Sequence, residues 1–417
     1  MPANTEPKTI RLFPNGTITP PASKSLSHRA AICAALAHGE SVIHNVTLSE
    51  DIEATLGGVN ALGCEWRLKD GSLHIDGGTK RHADLIHCME SGSTLRFLIP
   101  VAALSGKQTV FKGKGRLLVR PMGAYDDVFA KTNVSFSHTQ REIRVRGPLC
   151  GGVYTLPGDV SSQFVSGLLF ALPLTKGDSE IRLSSPLESR QYAEMTMDVM
   201  HSFGVETEVL DDTFLIKGGQ RYSPSEYTVE TDYSQAAYFL GAAALGLDVK
   251  CAGLSVDSQQ GDSVFLQMLE KMGAKVTWKG GVVSVHAEKL SAITVDAREN
   301  PDLIPPVAAL CCFCEGSSHI VNAGRLRMKE SDRLHALAEE LGKLGAKITE
   351  KADGLTIVGA PALKGGVADA HHDHRIAMAM ALAAVRCTEE VKLVGWHNVS
   401  KSYPDFWNDF EKTERLT

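Results

Sequence analysis

A period of about 70 residues runs through the whole chain, and it constrains the fold more than any other feature. Six segments open on small polar or charged residues and pass straight into Ala-rich apolar runs with helical spacing. They are Ser23-Lys24-Ser25-Leu26, Ser91-Gly92-Ser93-Thr94, Ser161-Ser162-Gln163-Phe164, Thr231-Asp232-Tyr233-Ser234, Asn300-Pro301-Asp302-Leu303 and His371-His372-Asp373-His374. A second helical run follows and ends at a Gly-bounded turn, as at Leu62-Gly63-Cys64, Phe203-Gly204-Val205, Met272-Gly273-Ala274 and Leu344-Gly345-Ala346. Short alternating strands come next, as in Lys275 to Trp278 and Val282 to Val285. Two helices and several strands per period exceed any familiar solenoid unit, which predicts a pseudo-symmetric α/β protein. At 417 residues the chain outgrows one hydrophobic core. Six units divide simply into two domains of three. We expect residues 1–20 with 230–417 in one domain and 21–229 in the other, crossing at Pro20-Pro21 and near Tyr227 to Thr231.

Polar residues recur at one phase of this repeat. Ser, Thr, Asp and Asn cap the orphan amides of a helix start, so each first helix is expected to begin there. In the first unit Leu26, Ala30, Cys33 and Ala37 read as a buried stripe, with Ser25 and Arg29 on another face. Second helices are expected to begin at Asp51, Arg120, Ser189, Gln260, Lys329 and Lys401. Convergence of these starts would gather Lys24, Arg29, Arg96, Arg120, Lys329, Arg333, Arg375 and Lys401 around unpaired amides, an arrangement that holds phosphate. The chain carries 43 Lys and Arg against 49 Asp and Glu, a net charge of −6. The global field therefore repels anions, and nucleic acid is not an expected partner. A single serine at a helix start is ordinarily only a cap, and Glu330 between Lys329 and Arg333 is ordinarily a solvated charge. The signal is the recurrence.

No Walker P-loop or Gly-x-Ser-x-Gly elbow is present, and Lys112-Gly113-Lys114-Gly115 completes no dinucleotide fingerprint. His371, His372, Asp373 and His374, with Asp369, imitate a metal site. They occupy the helix-start phase, however, so neither a metal nor a cofactor is expected. The nine cysteines form no Cys-x-x-Cys pair and read as buried, reduced thiols of a cytoplasmic protein. Met1 to Glu6 shows no secretion signal, and the apolar runs Ala236 to Leu247 and Ile304 to Cys314 are too short to cross a membrane.

Pro21-Ala22-Ser23-Lys24-Ser25-Leu26-Ser27-His28-Arg29 resembles the first signature of 5-enolpyruvylshikimate-3-phosphate synthases. Ser91 to Arg96, Arg120-Pro121-Met122-Gly123, Ser161-Ser162-Gln163, Ser189 with Tyr192, Lys329 to Arg333, Asp373-His374-Arg375 and Lys401 resemble the later ones, in order along the whole chain. The resemblance implies a two-domain inside-out α/β barrel of six βαβαββ repeats, three per domain, with the active site in the cleft between them. It implies shikimate 3-phosphate and phosphoenolpyruvate as substrates, with glyphosate as inhibitor. Lys24, Ser25, Arg29, Ser161, Ser162, Gln163, Ser189, Tyr192, Asp302 and Lys329 would hold the first. Lys24, Gly92, Arg120, Gln163, Arg333, His374, Arg375 and Lys401 would surround the second. Asp302, Glu330 and Lys24 would carry the proton transfers. A monomer is expected.

Glu90, Phe97 and Arg325 depart from the family pattern, where Asn, Pro and Asn are common, and this bears on secondary contacts. The sister enzyme acting on UDP-N-acetylglucosamine has Lys-Asn at Lys24-Ser25 and a reactive Cys in the loop that here reads Gly113 to Arg120 without one. A relative that processes RNA ends would want a basic, aromatic-rich surface, and a silent relative would not need Lys24, Asp302, Glu330, His374 and Arg375 together.

Overall fold

A computed structural model describes residues 6–78 and 82–412; Met1 to Thr5, part of the N-terminal segment read above, lie outside them. Twelve α-helices occur among the described residues: α1 (Lys24–Leu36), α2 (Glu50–Ala61), α3 (Gly92–Ala102), α4 (Gly123–Phe129), α5 (Ser162–Ala171), α6 (Arg190–Ser202), α7 (Tyr233–Ala244), α8 (Phe265–Lys271), α9 (Ile304–Cys311), α10 (Arg333–Lys343), α11 (His374–Ala384) and α12 (Phe406–Phe410). Chain contacts divide the protein into two units, Ala22–Glu230 with α1 to α6, and Met1–Pro21 with Thr231–Thr417 and α7 to α12.

Each unit is built from three sheets. In the second repeat Leu85–His87 lies parallel to Gln108–Lys112, with α3 as the crossover between them. The antiparallel strands Ile143–Arg146 and Ser135–His138 then complete the sheet. The third and fifth repeats follow the same βαβαββ order, on Val153–Leu156 and Thr294–Asp296. The first repeat takes its opening strand from Glu226–Thr228, parallel to Glu40–His44, and so closes its unit on itself. The N-terminal segment serves the other unit twice. Gly16–Ile18 opens the fourth sheet beside Val249–Ala252, and Lys8–Ile10 completes the sixth beside Val391–Val394.

The first helices lie inside and the sheets outside. Every residue of α7, α9 and α11 is buried, whereas strands such as Glu40–His44 and Ser72–Asp76 alternate buried and half-exposed positions. Helices buried on all sides must be apolar all round and small enough to pack closely, which the alanine runs provide. The expected one-sided stripe on α1 is therefore replaced by burial of every residue from Leu26 to Leu36, Arg29 included. The second helices keep the one-sided pattern: α10 buries Leu334, Leu337 and Leu341. Several begin later than expected. Arg120, Gln260, Lys329 and Lys401 sit at short 3-10 turns, and the α-helices start at Gly123, Phe265, Arg333 and Phe406. Pro121 and Pro404 account for two of these delays, because the residue before proline avoids helical backbone.

Close packing leaves no room at Gly167 of α5. A Cβ there would lie 2.2 Å from Tyr125 Oη and 2.4 Å from the Arg96 carbonyl oxygen, splitting the 2.7 Å bond that Tyr125 donates to that oxygen. Gly57, on the exposed side of α2, has nothing within 4 Å. Gly167→Ala is expected to lower stability by about 2–3 kcal/mol, and Gly57→Ala to raise it by about 0.5–1 kcal/mol. Denaturant unfolding of both variants checks the opposite signs.

Candidate active site

In the unit of α1 to α6 most of the expected site residues stand at or near helix starts. Ser23, Ser91 and Ser161 are the caps of α1, α3 and α5, accepting from the amides of Leu26, Thr94 and Gln163. That leaves Lys24, Ser25, Gly92, Ser93, Ser162 and Gln163 as the first helical residues. Gln163 accepts from Arg96 Nη1 at 2.7 Å and donates to Ser93 Oγ at 3.1 Å, which joins the starts of α3 and α5. A Cβ on Gly92 would stand 3.0 Å from Arg120 Nη1, 3.1 Å from Arg96 Nη1 and 3.4 Å from Gln163 Oε1, so Gly92, Arg96, Arg120 and Gln163 share one place.

Arg29 ties α1 to α6, donating to Thr196 Oγ1 (2.8 Å), the Ser25 carbonyl (2.8 Å) and the Tyr192 carbonyl (2.7 Å). Burial lowers its pKa to about 10, although the Tyr192 side chain acts in the opposite sense. Its guanidinium lies over the Phe97 ring, 5.2 Å from the centroid. The Phe97 departure is thus a packing feature that also covers this arginine. Ser189 precedes α6 with φ +57, a conformation that serine rarely adopts and that costs of order 1–3 kcal/mol. Lys24 Nζ pairs with Asp51 Oδ2 at 2.6 Å.

The other unit centres on Arg333, whose side chain is 2% exposed at the first position of α10. Its Nε and Nη2 grip Asp373 at 2.8 and 3.2 Å, Nη1 meets Asp302 at 3.0 Å, and Nη2 donates to Glu330. Arg375 reaches Asp302 through Nη2 to the carboxylate and through Nη1 to the carbonyl, both at 3.0 Å, and donates to Ser234 Oγ at 3.1 Å. Asp373 also caps α11 by accepting from the Arg375 amide at 2.9 Å. Lys401 Nζ donates to the His372 carbonyl at 2.7 Å. His374 is buried beside Asp373 and Glu330. His371 is committed instead to Glu339 and Glu340, so two of the three histidines of the metal-like motif, His371 and His374, serve different clusters.

Burial alone would raise the Asp302 pKa; Arg375, Lys329 and Arg333 outweigh it and hold this carboxyl well below the usual range. Lys329 moves the other way. Desolvation lowers it to about 8 against the pull of Asp302, with Arg333 and Arg325 adding to the fall. Arg333 is raised despite its burial, because Asp373, Glu330 and Asp302 surround it.

Three side chains in these clusters, Asp51, Asp373 and Ser234, were not among the expected site residues. Asp373 and Ser234 stand at the helix-start phase, which was the available signal. Asp51 stands where a second helix was expected to begin, and its role shows only through its pair with Lys24; Arg96, expected among the helix-start cations, is tied there by Gln163. Cys150 is exposed, against the expectation of buried thiols; seven of the nine cysteines are buried and Cys387 is partly so.

Arg333→Met would leave Asp373 buried and Asp302 and Glu330 short of a cation, a loss of about 3–5 kcal/mol at neutral pH. Asp302 is depressed in the fold, so its pairs contribute stability above the ordinary carboxylate pKa and lose it as pH falls below about 4. The penalty of Arg333→Met is therefore expected to shrink once the pH is well below 4, as urea unfolding at pH 7 and about pH 2 would show. Equal penalties at both would contradict this account.

A family model described as EPSP synthase (3-phosphoshikimate 1-carboxyvinyltransferase) matches residues 12–410. A 3-phosphoshikimate 1-carboxyvinyltransferase of Clostridium novyi (strain NT) is 43% identical over 424 residues, covering 97% of each chain. One of Clostridium kluyveri is 44% identical over 400 residues, covering 95% of this chain and 94% of that one. Among solved structures, EPSP synthase from Acinetobacter baumannii matches with a TM-score of 0.78 at 26% identity, over 96% of this chain and 97% of that one. The enolpyruvyl transferase NikO from Streptomyces tendae, at 18% identity and a TM-score of 0.80 over 97% of both chains, shares the fold. With its motifs, its βαβαββ repeats and these relatives in agreement, the chain belongs to the EPSP synthase (3-phosphoshikimate 1-carboxyvinyltransferase) family.

Proposed function

We propose that the chain transfers the enolpyruvyl group of phosphoenolpyruvate to the 5-hydroxyl of shikimate 3-phosphate, releasing inorganic phosphate. The observation that carries this reading is the pair of carboxylates, Asp302 and Glu330, held by one buried guanidinium among further cations. Addition–elimination needs two groups that move protons and several that hold anions.

The 5-hydroxyl oxygen attacks the central carbon of phosphoenolpyruvate while its proton passes to Asp302 or Lys24. Glu330 delivers a proton to the methylene carbon, giving a tetrahedral adduct. In the second step the bond to the phosphate oxygen breaks, the methyl group returns a proton, and the enol ether forms. Ser161, Ser162 and Ser189 hold the substrate phosphate, and Ser25, Arg29, Gln163, Tyr192 and Lys329 its remainder. Arg120, Gln163, Arg333, His374, Arg375 and Lys401 hold phosphoenolpyruvate, with Gly92 leaving room for it and Lys24 touching both ligands. Fixed cations match the charge that moves during the reaction without reorganising. Asp302 is a weak base while Arg333 and Arg375 pair with it, and it becomes a stronger one as an incoming anion draws those arginines away.

We further propose a cytoplasmic monomer with no nucleic-acid partner. Among the described residues no helix is long and apolar enough to cross a membrane.

Phosphate release from phosphoenolpyruvate, with shikimate 3-phosphate and UDP-N-acetylglucosamine offered in parallel, tests the reading. Release is expected with the first alone, and release only with the nucleotide sugar would overturn the substrate assignment. Gly92→Ala places a methyl group 3.0 Å from Arg120 Nη1. It is expected to raise the KM for phosphoenolpyruvate about tenfold while moving that for shikimate 3-phosphate little. Glyphosate is expected to inhibit the parent enzyme by competing with phosphoenolpyruvate, and unchanged turnover at millimolar inhibitor would contradict that.

A further inference from the structure

His371 and His372 adopt successive left-handed conformations, φ +49 and +56, immediately before the helix start that carries Asp373, His374 and Arg375. Neither is glycine, so the turn is not a local preference and something must hold it. The holding groups come largely from α10. Glu340 sits seven residues after Arg333 on the same buried face, and its side chain is fully inaccessible. One of its oxygens accepts from His371 Nε2 at 2.6 Å and from Lys343 at 2.8 Å. The other accepts from the Asp369 amide at 2.9 Å. The His371 amide in turn donates to Asp369 Oδ1 at 2.6 Å. A buried carboxylate is costly unless its lone pairs are met. Two of the three partners of Glu340 belong to this turn.

We propose that Glu340 and His371 are positioning residues that lock the turn before α11 and so set Arg375 and His374 for phosphoenolpyruvate. The proposal rests on the function proposed above. It makes α10 grip the site at two points, through Arg333 on Asp373 and through Glu340 on the residues just before it. The charged groups facing His371 are Glu340, Glu339 and Asp369, with Lys343 shared between the two glutamates. The hydrogen bond to Glu340 raises the His371 pKa, against desolvation, from its ordinary 6.5. The raised value makes the lock complete below that ordinary value and loosens it as pH climbs through the higher one.

His371→Gln and Glu340→Gln in the full chain test this. Each is expected to raise the KM for phosphoenolpyruvate about tenfold, with kcat within about threefold and the KM for shikimate 3-phosphate unmoved. The double variant should be no worse than the worse single one. In the parent the KM for phosphoenolpyruvate should climb as pH rises through the raised His371 value, whereas in His371→Gln it should stay high and flat. Amide exchange over residues 369–377 should quicken in His371→Gln. His371 is only partly buried, so that variant is informative even if Glu340→Gln does not fold. A KM within twofold of the parent, with parent-like exchange, overturns the proposal. If the parent releases no phosphate with shikimate 3-phosphate, the proposed function fails and exchange decides alone: quickening confined to 369–377 supports the lock, and unchanged exchange overturns it.

Discussion

In α7, α9 and α11 every residue is buried, and in α1, α3 and α5 the residues that are not are Lys24, Ser25, Ser93 and Gln163. All four lie within the first two helical positions. A helix enclosed along its sides has only its ends available for polar contact, and its N-terminal end presents unpaired amides. Chemistry in this fold is thereby pushed to the helix starts. Six repeats supply six such starts, three in each unit, and the sheets outside them need only keep the helices enclosed.

That arrangement gives an acidic chain places where anions can be held. The unit of α1 to α6 places Lys24, Arg29, Arg96 and Arg120 near its helix starts. The other unit places Lys329, Arg333, Arg375 and Lys401 there, and it is the one that also supplies carboxylates in number. Arg333 could not remain buried without them, since a desolvated guanidinium needs its donors met. Asp373 does the most of this work, because the same carboxylate meets Arg333 and caps α11. It fixes a cation and a helix start together.

The repeat phase was legible in the sequence because it recurs. Five of the six first helices begin within three residues of their polar signatures, and the sixth, α9, follows a 3-10 turn at Pro301–Leu303. Less legible were the second helices, where proline and 3-10 turns displace the start by a few residues. Burial of Arg29 was missed for a different reason. Helical spacing assigns a face, and a face means nothing for a helix enclosed on every side. The roles of Asp51 and Glu340 escaped for a third reason: each acts on another side chain of the protein. Whatever its phase in the repeat, only coordinates reveal the partner of such a residue.

The carboxylates of the second unit also bear on when chemistry begins. Asp302 shares its charge with Arg333, Arg375 and Lys329, so it is ionised but reluctant to take a proton. The cations that make it a poor base are those proposed to receive phosphoenolpyruvate. A ligand that recruits them frees the carboxylate in the same act. Glu330 stands in the same relation to Arg333. With the proposed roles, the network would couple occupancy of the anion site to the strength of the proton acceptor through one shared guanidinium, and no separate moving part is needed for that coupling.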